Sequence, residues 1–257
     1  MLQNDVLNLV FEFIVIKLNF ENGFTINNNK NLSKTIKKVI ILGKIKEKHL
    51  KQLTNLKYLV WQWPDIYTEE SFIPLKNLKY LDCGEMQKFT NENLKPLTKL
   101  KTLKCGCNNI FTDRGLSYLP NLEVLYCSSN ENFTDEGLKF VPNLKLLKCG
   151  NNQKFTDKGL KYVPNLRYLN CGKNNNFRNT LLYLPNLEYL FCGDSTYLEG
   201  SGLKKLTKLK YLDCPYSCFT DEDIKDLVNL EYFIGRNFYG CCFTDESLKN
   251  LINLKYL

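Results

Sequence analysis

The feature that most constrains this chain is a repeat of about 22 residues that covers most of its 257 residues. Each copy opens on a leucine that follows Asn or Lys, and the spacing between openings hardly varies. Units this short cannot bury an apolar face alone, so the repeat predicts a solenoid whose core forms by stacking. The opening leucines are Leu56, Leu78, Leu100, Leu122, Leu144, Leu166, Leu187, Leu209, Leu230 and Leu254.

Within one unit, the pattern predicts a short strand, a turn and a short helix. Counting the opening leucine as position 1, positions 4 and 6 are apolar and lie on the same side of a strand. Position 12 is usually Phe, and the "FTD" that it opens supplies a Thr helix cap and an Asp at the positive end of the helix. Prolines such as Pro120 and Pro142 then mark the exit toward the next strand.

Position 6 is cysteine in seven successive units. Residues at one repeat position stack at about 4.8 Å, and a free cysteine behaves as a small apolar residue. A linear column does not converge as a tetrahedral metal site requires, and parallel side chains do not favour disulfide geometry. We therefore predict a structural ladder of buried thiols, without metal or other cofactor. Its members are Cys83, Cys105, Cys127, Cys149, Cys171, Cys192 and Cys214.

Four cysteines lie outside this column. Cys107 is at position 8, and Cys218, Cys241 and Cys242 lie near the Phe of two adjacent units. They are either small loop residues or, for the last three, a soft ligand cluster. No Cys-x-x-Cys spacing indicates zinc, which favours loop residues.

The motif "LxxLxCxxNxxFTDxGLxxLPN" resembles the leucine-rich repeat over residues 55–257. Its "FTDxGL" part is similar to the cysteine-containing subclass found behind F-boxes, although the cysteine here is at position 6 and not 9. The resemblance implies an α/β solenoid, a horseshoe with a concave parallel β-sheet and short helices on the convex side. It also implies that the position-9 amides point inward and satisfy backbone groups; these are Asn108, Asn130, Asn152 and Asn174.

The first 15 residues resemble the opening of an F-box, which implies contact with a Skp1-like adaptor. The matching candidate residues are Leu2, Val6, Leu7, Val10, Phe11 and Ile14. The alternative is an amphipathic cap over the end of the solenoid, which repeat arrays require.

These features divide the chain into an N-terminal segment and a solenoid. We assign residues 1–34 to the helical cap or degenerate F-box-like segment and residues 35–257 to the solenoid. Within the solenoid, residues 35–54 form an atypical first unit, and regular units of 21–24 residues follow over 55–252. Residues 253–257 form a truncated last strand, whose edge is open to pairing with another chain.

No catalytic constellation is visible, so we predict that the protein is not an enzyme. His49 is the one histidine, no phosphate-binding loop occurs, and the helix-start role explains the recurrent Asp. The net charge of +8 comes from Lys spread along the chain, whereas a nucleic-acid surface gathers basic residues on one face.

Sequence features also predict a location. No segment reaches the roughly 20 apolar residues of a membrane helix, and the N-terminus lacks signal-peptide features. We therefore expect an intracellular, cytoplasmic protein with reduced thiols. The chain is also similar to uncharacterised repeat proteins of large DNA viruses of amoebae, which would place it in the host cytoplasm.

Positions 3 and 5 project from the sheet away from the core, and tyrosine dominates position 3. Tyrosine is enriched at interfaces, although it also simply favours strands. We predict a non-catalytic scaffold that binds a protein partner on the concave sheet. One alternative is an F-box-like substrate receptor of a cullin-type ubiquitin ligase, and another is a basic nucleic-acid-binding solenoid. The predicted partner-binding residues are Tyr168, Tyr189, Phe191, Tyr211, Tyr232, Ile234 and Arg236.

Overall fold

A computed structural model of the chain describes residues 16–18, 36–41, 47–61, 68–84, 89–178, 180–193, 200–216, 219–235 and 244–257. The candidate adaptor-binding residues lie outside this part, as do Arg236 and three of the four cysteines off the ladder. Those residues are Leu2, Val6, Leu7, Val10, Phe11, Ile14, Arg236, Cys218, Cys241 and Cys242.

Within these ranges, eleven parallel strands form one sheet in chain order, so each unit adds its strand beside the previous one. The register keeps each repeat position opposite the same position in its neighbours, as Leu103, Leu125 and Leu147 show. The strands are β1 Ile16–Leu18, β2 Lys38–Ile41, β3 Tyr58–Trp61, β4 Tyr80–Asp82, β5 Thr102–Lys104, β6 Val124–Tyr126, β7 Leu146–Lys148, β8 Tyr168–Asn170, β9 Tyr189–Phe191, β10 Tyr211–Asp213 and β11 Tyr232–Ile234.

The sheet begins earlier than the sequence predicted. β1 pairs with β2 in parallel, with Ile16 opposite Val39. Three residues of the 1–34 segment therefore belong to the sheet. At the other end, Tyr256 forms a single parallel bridge with Tyr232, where the sequence placed the truncated last strand.

Short helices lie opposite the sheet across the core. They are α1 Glu47–Leu50, α2 Glu69–Phe72, α3 Asn91–Leu94, α4 Asp113–Ser117, α5 Asp135–Leu138, α6 Asp157–Leu160, α7 Asp221–Ile224 and α8 Asp245–Leu248. Three 3₁₀ helices span Ile73–Leu75, Thr180–Tyr183 and Gly200–Lys205. The predicted helix follows "FTD" in α4 to α8, while α1 to α3 are α-helical without that motif.

The threonine of "FTD" caps the helix in several units. The hydroxyl oxygens of Thr134, Thr156 and Thr244 each accept a hydrogen bond from the backbone N–H two residues later. Thr220 instead forms a capping box with the side chain of Asp223, and Thr90 of the related "FTN" forms one with Asn93. Either arrangement satisfies backbone donors that a helix start leaves without an internal partner.

The aspartate of the same motif has a second role that the sequence analysis did not predict. Oδ1 of Asp135 accepts from the backbone N–H of Thr156 at 2.8 Å, and Oδ2 accepts from its hydroxyl at 2.6 Å. Asp113 binds Thr134 and Asp221 binds Thr244 in the same way. Each carboxylate therefore joins its unit to the next one, in addition to its place at the helix start.

The position-9 asparagines are buried and hydrogen-bonded, which confirms the predicted inward amides. The side-chain oxygen of Asn152 accepts from the backbone N–H groups of Lys154 and Phe155, at 2.7 and 3.1 Å. Its Nδ2 donates to the carbonyls of Asn130 and Phe133 in the preceding unit. One amide thus satisfies four backbone groups that burial would otherwise leave costly.

A second asparagine column lies just before the opening leucine and was missed in the sequence. The Nδ2 of Asn121 donates to the carbonyl of Thr98 at 3.0 Å, and that of Asn253 donates to the carbonyl of Val228 at 2.8 Å. Asn77, Asn143, Asn186 and Asn229 make the equivalent bond to the preceding unit. These side chains link successive units along the entry edge of the strands.

The seven ladder cysteines are buried, as predicted, and five of them are free thiols. Sγ of Cys105 contacts the carbonyl of Tyr126 at 3.4 Å, and burial raises the pKa of Cys171 to about 12. The prediction was wrong for the last pair, because Cys192 and Cys214 form a disulfide. Their Cα atoms are 4.8 Å apart, so the strand spacing itself brings neighbouring ladder positions within bridging distance.

Candidate binding face of the sheet

Positions 3 and 5 of the strands form the face of the sheet that points away from the core, here called the open face. In β6, for example, Val124 and Tyr126 are half-buried while Leu125 between them is fully buried. The alternation follows from the two-residue period of a strand. Parallel pairing in register then aligns these side chains into columns across the sheet.

Aromatic rings form a continuous band on the C-terminal half of the open face. The ring centroids of Tyr168 and Phe191 are 5.1 Å apart, those of Phe191 and Tyr211 4.7 Å, and those of Tyr211 and Tyr232 5.5 Å. Tyr256 continues the band with its centroid 4.7 Å from that of Tyr232. Stacking of this kind stabilises a pair by about 0.5–1.5 kcal/mol beyond area burial, so neighbouring rings support one another.

The structure brings most of the predicted partner-binding residues together in this band. Tyr189 lies beside Tyr168, with 6.2 Å between ring centroids, and Phe191 connects the two neighbouring tyrosine positions. Ile234 is 44% exposed at the same end of the sheet. Tyr256, 62% exposed, is an addition that position 3 of the last copy already indicated.

The centre of the open face differs from the expectation for position 3. Leu146 is buried at 7% exposure, although it projects on the open side. It lies in register between Val124 of β6 and Tyr168 of β8, so it has a neighbouring side chain on each side. Position 3 is therefore packed at this strand, in contrast to the half-buried Val124 and Tyr168 beside it.

Lysines alternate with tyrosines on the N-terminal half of the open face. The rings of Tyr58 and Tyr80 stack with centroids 3.9 Å apart, and the Nζ of Lys38 lies over Tyr58 at 4.4 Å. Lys104 contacts the rings of Tyr80 and Tyr126, and Lys148 contacts those of Tyr126 and Tyr168. Cation–π contacts thus extend the ring system from β3 to β8.

Burial on this face keeps the tyrosine hydroxyls protonated. It raises the pKa of Tyr126 and raises the pKa of Tyr168 to about 12. Burial also raises the pKa of Asp213 and lowers the pKa of Lys148, which the charge of Lys104 lowers further. At neutral pH the face therefore offers hydroxyl donors beside apolar ring edges, which is typical of protein interfaces.

A separate groove of about 750 Å³ runs along the edge at which the chain enters the strands. Six Lys or Arg side chains and two Glu side chains line it, so the lining carries a net positive charge. Glu123 pairs with Lys101 and Lys145 at 2.5 and 2.8 Å, and Glu188 pairs with Arg167 and with Lys210. The two glutamates therefore offset only part of the positive charge that lines the groove.

Within the part of the chain that the structure describes, no group of three or more His, Cys, Asp or Glu side chains is arranged to hold a metal ion. No helix there is long and apolar enough to cross a membrane. The side chain of His49 lies outside the described part.

The chain was compared with known proteins. No family model and no curated protein matches it. Among solved structures it is similar to an internalin of Listeria monocytogenes, with a TM-score of 0.67 and 22% identity, over 91% of this chain and 77% of the internalin. It is also similar to a leucine-rich-repeat protein of Leptospira interrogans, with a TM-score of 0.68 and 20% identity, over 89% of this chain and 68% of that protein.

The fold is that of a leucine-rich-repeat solenoid. A third neighbour, Drosophila Toll in its complex with Spätzle, has a TM-score of 0.65 and 12% identity, over 95% of this chain and 42% of the neighbour. At these identities the likeness establishes the fold alone. The predicted α/β leucine-rich-repeat architecture is confirmed, while the similarity to F-box-associated and viral proteins stays a prediction.

Proposed function

We propose that this leucine-rich-repeat protein is a non-catalytic scaffold that binds another protein along the open face of its sheet. The carrying observation is the ring band from Tyr168 to Tyr256, which stays partly exposed although each ring is stacked on its neighbours. Aromatic residues that are rigid and only half-buried lose little conformational entropy on binding. Exposed contiguous apolar surface of this kind marks interaction sites.

One structural neighbour supports a protein partner. The Toll structure is a complex with Spätzle, so this fold in that molecule is found with a bound protein. The face used there is not carried over to this chain. The assignment of the open face rests on the ring band itself.

A paired set of variants tests the proposal. Tyr189→Ala with Phe191→Ala removes the centre of the band, and the matched pair Lys139→Ala with Lys161→Ala changes two side chains on the helical side. Truncation of an interface anchor typically costs about 2 kcal/mol or more, whereas a residue outside the interface costs little. We expect the first pair to lose the main partner captured from cell lysate, as measured by quantitative mass spectrometry.

The outcome is interpreted together with thermal unfolding of each variant. Retained folding with loss of the partner in the first pair alone supports the open face. Equal loss in both pairs, or unchanged capture by the first pair, would show that the ring band reflects only the strand preference of tyrosine.

We also propose an adaptor-binding role for the N-terminal segment, which would make the protein a substrate receptor of a cullin-type ubiquitin ligase. The motivating observation is the match of Leu2, Val6, Leu7, Val10, Phe11 and Ile14 to the opening of an F-box. Leu7→Ala with Phe11→Ala should then abolish binding of a Skp1-like adaptor while the melting temperature of the solenoid stays unchanged. If the segment is a cap, the same variant lowers the melting temperature and wild-type protein retains no adaptor.

A further inference from the structure

Lys104 and Lys148 lie on either side of Tyr126 in the register of the sheet, one on β5 and one on β7. Their Nζ atoms are 4.8 and 5.2 Å from the centroid of the same ring. All three side chains are half-buried. The open face therefore concentrates two positive charges around one tyrosine.

Neither lysine is neutralised within the described residues. The ion pairs there involve lysines and arginines at the entry edge and on the helical side, and none includes Lys104 or Lys148. Asp82 is the register neighbour of Lys104 on β4 but does not form an ion pair with it. Two partly desolvated like charges without a counterion are unfavourable, and a bound anion relieves that cost.

The cation pair also adjoins the ring band. Lys148 contacts the ring of Tyr168, and Tyr168 contacts Phe191, where the all-aromatic part of the face begins. Beyond it, Asp213 places a negative charge in the same column. The open face thus changes from positive at β5–β7 to mainly aromatic at β8–β11, with the carboxylate of Asp213 on β10.

We propose that Lys104 and Lys148 form the anion-binding end of the partner site, which takes a peptide segment with neighbouring Asp or Glu residues followed by apolar residues. This inference rests on the proposed function and adds the chemistry and direction of the partner. The carboxylates lie between the two ammonium groups and accept from them and from the Tyr126 hydroxyl. The apolar residues then lie on the rings of Phe191, Tyr211 and Tyr232.

The observations favour an acidic peptide over a single-stranded nucleic acid. Base stacking requires a free ring face, but Tyr58 and Tyr80 stack on each other and Tyr126 carries both ammonium groups. Asp82 and Asp213 in the same column would also repel successive phosphates. A short acidic segment uses the two lysines and avoids both carboxylates.

The length of the proposed site determines how long a test peptide must be. At about 4.8 Å per strand, β5 to β11 spans roughly 29 Å, which an extended chain covers with about nine residues. Random peptides of roughly twelve residues, displayed on phage and selected against the full chain, can therefore cover the site. We expect selection to enrich neighbouring acidic residues next to apolar ones. A charge-assisted pair lost on substitution should weaken the selected peptides about tenfold or more.

The deciding comparison uses Lys104→Gln with Lys148→Gln against Lys139→Gln with Lys161→Gln, which removes the same net charge from the helical side. Fluorescence anisotropy with a selected peptide and its Glu→Gln counterpart should show the loss only in the first pair and only for the acidic peptide. Selection of peptides without acidic residues, no selection at all, or equal loss in both pairs overturns the inference. A labelled oligo-dT that binds more tightly than the acidic peptide, and depends on Lys104 and Lys148, overturns it in favour of nucleic acid.

Failure here is distinct from failure of the proposed function. If Tyr189→Ala with Phe191→Ala still abolishes partner capture while the lysine pair has no effect, the open face binds a protein without an acidic anchor. If neither pair affects capture, the proposed function itself is wrong.

Discussion

The carboxylate of Asp113 binds Thr134 in the next unit through both of its oxygens, at 2.8 Å from the backbone nitrogen and 2.6 Å from the hydroxyl. The same bond pair recurs at Asp135 with Thr156 and at Asp221 with Thr244. A repeat unit is stable only through its neighbours, so hydrogen bonds between units contribute to the stability of the whole solenoid. The "TD" dipeptide is therefore a link between units as well as a helix start.

Replacing Asp135 by Ala should destabilise the fold by about 1–3 kcal/mol, because two donors of Thr156 lose a charged acceptor. The neighbouring Glu136→Ala is the control, since Glu136 is exposed and its ion pair is with Lys139 one turn later on the same helix end. It should change the free energy of unfolding by less than about 0.5 kcal/mol. Urea unfolding followed by circular dichroism measures both, and equal effects would show that the link contributes no stability.

The glycine of "TDxGL" should be coupled to this link. A Cβ on Gly137 would overlap Oδ1 of Asp113, and one on Gly159 would overlap Oδ1 of Asp135. We expect Gly137→Ala to destabilise the wild type although alanine favours a helix by about 1 kcal/mol. In an Asp113→Ala background the same change should cost less or stabilise. A double-mutant cycle on unfolding free energies measures the coupling, and additive effects would contradict the close approach.

The pattern of core residues could be predicted from the sequence, because burial follows the strand period. Leu125, Cys127, Phe133 and Asn130 are all buried where the columns placed them. The contacts between units were harder to see. Asn121 gives no local signal of its bond to Thr98, which lies 23 residues away and depends on the register of two units.

For the candidate site, the sequence predicts which repeat positions face away from the core, but not the contacts between their side chains. The tyrosines of position 3 follow from strand alternation, but the seating of Lys104 and Lys148 on Tyr126 depends on side-chain directions across three strands. The bridge between Cys192 and Cys214 was missed for a related reason. Position 6 looked the same in all seven units, so nothing in the sequence distinguished this pair.

The free ladder thiols should not react in the folded protein. Burial raises the pKa of Cys83, Cys127 and Cys171, so thiolate is scarce as well as inaccessible at neutral pH. Alkylation followed by peptide mass spectrometry should leave Cys83, Cys105, Cys127, Cys149 and Cys171 unmodified until denaturant is added. Cys127→Ser should destabilise by roughly 1–3 kcal/mol, because a hydroxyl is costlier to bury than a thiol. Rapid alkylation of the five free ladder cysteines in native protein would contradict a packed ladder.

The ionisation of Glu188 should make the free energy of unfolding depend on pH in the acidic range. Burial opposes its charge, but hydrogen bonds from Arg167 and Lys210 outweigh burial and hold its pKa below 4.5. A lowered folded-state pKa contributes stability above about pH 4.5, and that contribution is lost as the pH falls through the folded-state value. Glu188→Gln should therefore destabilise at pH 7 by about 1–3 kcal/mol and by less at pH 3. A pH-independent difference in urea midpoint would contradict this assignment.

The central claim is that a partner protein lies on the open face, and site-specific photo-crosslinking tests it most directly. A photoreactive phenylalanine replaces Tyr211 or Tyr232 in the ring band, and replaces Tyr183 as the control. Tyr183 is 42% exposed on a 3₁₀ helix across the core from the sheet, so the control differs in place and not in chemistry. We predict a crosslinked partner from positions 211 and 232 and none from 183. A partner crosslinked from position 183 alone, or equally from all three, would contradict binding on the open face.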